Sequence, residues 1–159
     1  MYQTVVYDNQ TFVVIDKSKT QILSRTLFDA YDEGKEDWVI LKDLYVWSHR
    51  LQLVIKVQKW FITDLASIPK IARFLISVNE GHRYAAVVHD WLYRNSASEV
   101  QDRRLADVIM LDILRICNVA TWKRVIIYGI LFFLGGLSFR KSYKHPFVPH
   151  DMRAKYQYD

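Results

Sequence analysis

One cysteine, three prolines and five glycines are all that this chain of 159 residues holds of those residue types. Cys117 is alone, so no intrachain disulfide is possible. That suits a reducing compartment, or a fold that does without bridges. The glycines never gather into a phosphate-cradling loop, which sets aside the glycine-rich nucleotide-binding motifs. No apolar run reaches the roughly twenty residues that span a bilayer. The longest candidate, VIIYGILFFLGGL (125–137), has thirteen. The first residues, MYQTVVYDNQ, have neither the basic start nor the apolar run of a signal peptide. The expectation is a chain made and kept inside a cell, or assembled into something there.

What is present is ordinary for a globular domain: 51% of residues are apolar and 25% charged. The length is enough for one domain with a real core. The excess of positive charge is local. Residues 1–119 balance fifteen basic against fifteen acidic groups, and the last forty hold seven against two. A basic end of that kind suits phosphates or an acidic protein surface, although no nucleic-acid motif accompanies it.

The first sixty residues read as strands. TFVVI (Thr11–Ile15) and WVILKDLYVW (Trp38–Trp47) are rich in β-branched and aromatic residues. LQLVIKV alternates, with Leu51, Leu53, Ile55 and Val57 on one face, which marks a half-buried strand. The reversal Ser48–Arg50 makes a hairpin of Leu44–Trp47 and Leu51–Val57. YDEGKED (Tyr31–Asp37) reads as a polar turn. The pattern then turns helical. After a loop at Thr63–Ser67, Pro69 suits the first turn of a short helix. A second helix runs from about Arg83 to Arg94. A third has Ser98 as N-cap with Gln101 three residues on, a capping box, and stops at Asn118. A fourth begins near Thr121; it is read as a core helix packed on the sheet, with an interfacial, membrane-docking helix as the alternative. SFRKSYKHPFVPHDMRAKYQYD is basic, aromatic and broken by two prolines, and reads as an extended arm. Strands first and helices after predict an α+β fold. Its single domain covers residues 1–139, strand-rich over 1–62 and helical over 63–139, and the arm covers 140–159.

Chemistry concentrates in HDWLYRNSASEVQDRRLAD (89–107). On a helix, residues three, four and seven apart share a face. His89 then lines up with Ala85, Ala86, Leu92 and Tyr93. Asp107 falls on the apolar stripe of Met110, Leu111 and Leu114, whereas Asp102 and Asp112 fall elsewhere and read as solvated acids. Two helices joined by NSAS pack most simply antiparallel, which brings His89 and Asp107 together. A carboxylate on one imidazole nitrogen fixes the tautomer and frees the other nitrogen to take a proton from water. Asp90, about 100° further round the helix, is placed to hold a cation. The competing reading is a satisfied core pair that pins two helices. Asp64 in TDLAS is a candidate metal ligand or a helix-entry cap. A metal phosphohydrolase of the His-Asp type would need more histidines than His82 nearby. Cys117 has no basic activator in sight.

The ordered motifs FITDLASIP, AAVVHDWLY and RRLAD resemble a bacteriophage-encoded family of unassigned function, over Trp38 to Leu114. Separately, HDWLYRN is similar to the active-site helix of phospholipase A2, and the alanines ahead of it and the later Ala-Asp also match versions of that enzyme in parvovirus capsids. The second resemblance implies a lipid ester hydrolase. His89 would activate water, Asp107 orient it, Tyr93 brace the pair, and Asp90 bind calcium with help from the TDLASIP loop and Asp64. That loop lacks the family's glycine, and the family's helix-anchoring disulfide is impossible here. The expectation is a phage-associated phospholipase A2-like hydrolase made in the host cytoplasm. Its partners would be other virion or tail proteins, and host membrane lipid through the 122–140 segment. The alternative is a non-catalytic virion- or tail-associated structural protein built on the same scaffold.

Overall fold

The computed structural model describes residues 3–30, 37–63, 80–94, 102–134, 136 and 147–156. Among the described residues the order is eight strands, three α-helices and a 3-10 helix, which is the α+β arrangement expected from the sequence. The strands are β1 (Gln3–Tyr7), β2 (Gln10–Val14), β3 (Gln21–Ile22), β4 (Phe28–Ala30), β5 (Trp38–Ile40), β6 (Leu44–Ser48), β7 (Leu53–Val57) and β8 (Ile62–Thr63). The helices are α1 (Glu80–Arg94), α2 (Arg103–Ile116) and α3 (Thr121–Leu134), and the 3-10 helix is His150–Tyr156. The Thr63–Ser67 loop beyond Thr63, the helix at Pro69 and the Ser98–Gln101 capping box lie outside the described residues, as does most of the turn at 31–37.

Every strand pairing is antiparallel, in three small sheets ordered β1-β2, β3-β6-β7 and β4-β5-β8. The hairpin expected between Leu44 and Val57 forms with Leu44 opposite Val57 and Ser48 opposite Leu53. It is covered on both faces, more than its alternation suggested. Leu44, Val46, Ile55 and Val57 enter the main core with the helices. Tyr45, Trp47 and Val54 pack under Phe12 and Val14 of the β1–β2 hairpin. That first hairpin turns at Asp8 and Asn9, whose φ values of 53° and 56° suit a two-residue turn with both residues left-handed.

The helices show why the chain stops where it does. The side chain of Asp102 accepts from the Arg104 amide at 2.9 Å, so Asp102 caps α2 and the helix begins at Arg103. At the far end Asn118 is left-handed at φ 58°. The Asn118 amide donates to the Arg115 carbonyl and the Val119 amide to the Leu114 carbonyl, both at 3.0 Å. These two bonds make a Schellman stop, and Val119 and Leu114 share the core beneath it. Asp112 is not the solvated acid expected. Arg50 in the β6–β7 turn grips it with two bonds, at 2.5 and 3.1 Å, and ties helix to hairpin.

Two expectations meet a different arrangement. The last helix was expected as a core element on the sheet, yet α3 buries only Ile127 and Leu131 and packs on α2. Arg103 of α2 donates to the carbonyls of Leu131 and Phe132 at the end of α3. Within the expected extended arm, residues 147–156 fold onto the sheet. Phe147 bridges Phe61, the Val148 amide donates to the Trp60 carbonyl at 2.9 Å, and Val148 and Tyr156 form a small cluster with Val39 and Ile62. Proline excluded a continuous helix there, but not the short 3-10 turn that buries Tyr156.

Candidate functional site

The site lies where the second half of α1 meets the first half of α2. The helical period of α1 places His89 and Tyr93 one turn apart on the same face, and their rings lie 3.9 Å apart. Ala85 and Ala86, both buried, leave room beside the imidazole. On α2, Asp107 belongs to the buried stripe with Ala106, Met110 and Leu114. The two helices press these groups together. His89 Nε2 is 2.9 Å from Asp107 Oδ1, and the Tyr93 hydroxyl donates to that same oxygen.

The tautomer follows from this geometry. Asp107 Oδ1 accepts from Tyr93, so the nitrogen facing that oxygen must donate, and the ring proton sits on Nε2. Nδ1 then carries a lone pair, and it is buried with no hydrogen-bond partner among the described residues. His89 is 0% exposed and Asp107 1%, so the network is dry. A buried polar atom left unpaired is costly and is uncommon without a reason. Burial, and then the bond to Asp107, raise the Tyr93 hydroxyl well above the usual phenol range, so it stays a donor. Arg103 reaches to 4.0 Å from the other Asp107 oxygen, four residues back on the same helix. The sequence already contained that pair at helical spacing, and it escaped notice.

Asp90 points to a different neighbour. It is 0% exposed, and its Oδ2 accepts from the Thr63 hydroxyl at the end of β8. No local spacing could reveal that bond, because it joins residues 27 apart. Asp64 lies outside the described residues. A calcium ion takes six to eight oxygen ligands. Among the described residues no three His, Cys, Asp or Glu side chains gather as a metal-binding group, and Asp90 with Thr63 falls short of such a shell. The described residues alone therefore do not fit calcium.

Two further histidines stand apart from this network. His82, two turns before His89 on α1, is 7% exposed with both ring nitrogens unpaired. Burial lowers its pKa, with Lys123 adding to the effect. His49 stands in the β6–β7 turn, 2.9 Å from the Thr20 hydroxyl and 3.7 Å from Asp112. It lines a surface cleft of about 370 Å³ with Lys19, Arg50 and Arg115, and none of His89, Asp90, Tyr93 or Asp107 opens into that cleft.

Comparison with known families matches residues 38–130 to one family model, described as a protein of unknown function (DUF1353). No curated protein and no solved structure matches the chain. The matched span runs from β5 into α3 and holds His89, Tyr93, Arg103 and Asp107 as well as Asp90 and Thr63.

Proposed function

The chain belongs to the DUF1353 family of unknown function, and from that premise we propose that it is a phage-associated, phospholipase A2-like lipid ester hydrolase with His89 as general base. One observation carries the reading. His89 has its Nε2 tied to Asp107 while Nδ1 remains unpaired. In the proposed reaction Nδ1 takes a proton from water as the water oxygen bonds to the ester carbonyl carbon. The tetrahedral intermediate then expels the alkoxide, and His89 returns the proton to it. Asp107 holds the ring and stabilises the imidazolium, and Tyr93 fixes the carboxylate through its hydroxyl. A divalent cation, calcium by the resemblance, would take Asp90 and Asp64 as carboxylate ligands. The described residues do not by themselves complete its shell. The phage association rests on the order of the TDLASIP, HDWLY and RRLAD motifs in the sequence.

A second reading has its own support, the complete burial of the His89 ring. In it the network is a polar pin between α1 and α2, in a virion- or tail-associated protein that catalyses nothing. A catalytic His89 needs an opening that brings water to Nδ1, whereas a pin needs none. The test is hydrolysis of phospholipid vesicles, with and without calcium, by the wild type and by His89→Gln. The hydrolase reading expects fatty-acid release by the wild type and none by the variant, with similar melting curves. Release that survives in His89→Gln removes the base. No release by the wild type with any divalent cation leaves the pin.

A further inference from the structure

The outer face of α3 has the reverse of the usual pattern. A surface helix normally turns charge to water. Here Trp122, Ile126, Gly129 and Phe133 recur at helical spacing on one face, with Val125 and Phe132 beside them. Trp122 is 58% exposed, Val125 64% and Phe133 81%. No acidic residue occurs anywhere in TWKRVIIYGILFFL. Each end of the face carries a cation laid against an aromatic ring. Lys123 sits over Trp122 at 5.6 Å, and Arg104 of α2 sits over Phe132 at 5.4 Å. A Cβ added at Gly129 would meet nothing within 4 Å, so internal packing does not explain glycine at this half-buried mid-helix position.

We propose that α3 docks on a lipid surface containing anionic headgroups, lying in the plane of the membrane with this face in the acyl boundary. Aromatic side chains at the border with cations next to them are what such a boundary selects. The helix does not span: no helix of the described residues is long and apolar enough to cross a membrane. A second copy of the chain fits the face less well. Fourteen residues make a strip about 21 Å long and about 10 Å wide, on the order of 200 Å², far less than the roughly 800 Å² per partner of a standard interface. Lys123 and Arg104 at opposite ends would also meet like charges in either orientation of a helix pair. The inference rests on α3 and not on the dyad, so it stands or falls separately from hydrolysis.

The test is co-sedimentation of the full chain with vesicles of ether-linked lipids, which contain no ester to cleave. Mixed phosphatidylglycerol and phosphatidylcholine vesicles should bind it, at least about tenfold more strongly than phosphatidylcholine alone, and salt should weaken the binding. Phe133→Glu should lower partitioning at least about tenfold, as withdrawing one aromatic side chain from the boundary implies. Lys123→Glu should lower it several-fold while keeping the circular dichroism and melting curve of the wild type. Absence of binding to the anionic vesicles overturns the inference, as does equal binding by Phe133→Glu. A wild-type dimer in light scattering that Phe133→Glu converts to monomer also overturns it, since a second copy would then own the face.

Discussion

Replacing Asp107 with alanine removes the shared acceptor of two buried donors, His89 Nε2 and the Tyr93 hydroxyl. Neither donor gains water, since His89 is 0% and Tyr93 1% exposed. Each buried donor that loses this acceptor costs about 1–3 kcal/mol, and the lost acceptor is a carboxylate, so the total should be about 3–5 kcal/mol. For a domain of this size that is a fall of roughly 10 °C or more in melting temperature. Asp107→Asn keeps an oxygen in place for both donors and loses only the charge assistance, a cost of about 1 kcal/mol. Urea denaturation followed by tryptophan fluorescence measures both. The cycle with Tyr93→Phe sharpens the result. In the wild type that change breaks the bond to Asp107, whereas in Asp107→Ala that bond is already gone, so the two effects should couple by more than about 1 kcal/mol. If Asp107→Ala loses less than about 1 kcal/mol and the cycle is additive, the network is neither dry nor shared, and the account of the site fails.

Other perturbations have equally definite outcomes. Burial keeps His82 neutral in the fold, while the unfolded chain takes up a proton below about pH 6.5. The stability linked to His82 is therefore full above that pH and is lost as pH falls through the lowered folded pKa. His82→Leu should flatten the decline in melting temperature between pH 7 and 5, and an unaltered slope would exclude His82 as a source of it. Tyr156→Ala should cost about 3 kcal/mol, because Tyr156 is 3% exposed within the cluster of Val39, Ile62 and Val148; an unchanged melting curve would mean that residues 147–156 are not part of the fold. Calcium, by titration calorimetry, should bind no more tightly than the order of millimolar and should lose its site in Asp90→Asn; identical binding by that variant would disprove the assignment.

His89 and Asp107 were legible because helical spacing is a local property: each sits on an apolar stripe that its own neighbours define. Asn118 was legible for the same reason, as a left-handed stop after a periodic run. Other parts of the site depend on contacts between distant residues, about which spacing is silent. The Thr63–Asp90 bond is of that kind, and so, elsewhere in the fold, is the Arg50 grip on Asp112, which joins residues 62 apart. The first hairpin is half legible: TFVVI reads as a strand, whereas its partner QTVVY and the Asp8–Asn9 turn signal between them do not enter that reading. At the start of α2 two capping signals competed. Ser98 with Gln101 has the right spacing, but the polar side chain that caps the helix is that of Asp102.

The β6–β7 hairpin, covered on both faces, makes the start of the family match physically meaningful. The matched region opens at residue 38, so it contains Tyr45, Trp47 and Val54 but not Phe12 and Val14, which shelter them. The main core draws nothing from β1 or β2. A chain lacking only β1 and β2 would therefore keep its main core, its helices and its dyad while turning two aromatics and a valine to water on the back of the sheet. Such a strip on a sheet invites edge-to-edge or face-to-face association. The first hairpin thus behaves as a built-in shield against self-association. A family member without it would need polar residues at those three positions, or another protein in its place.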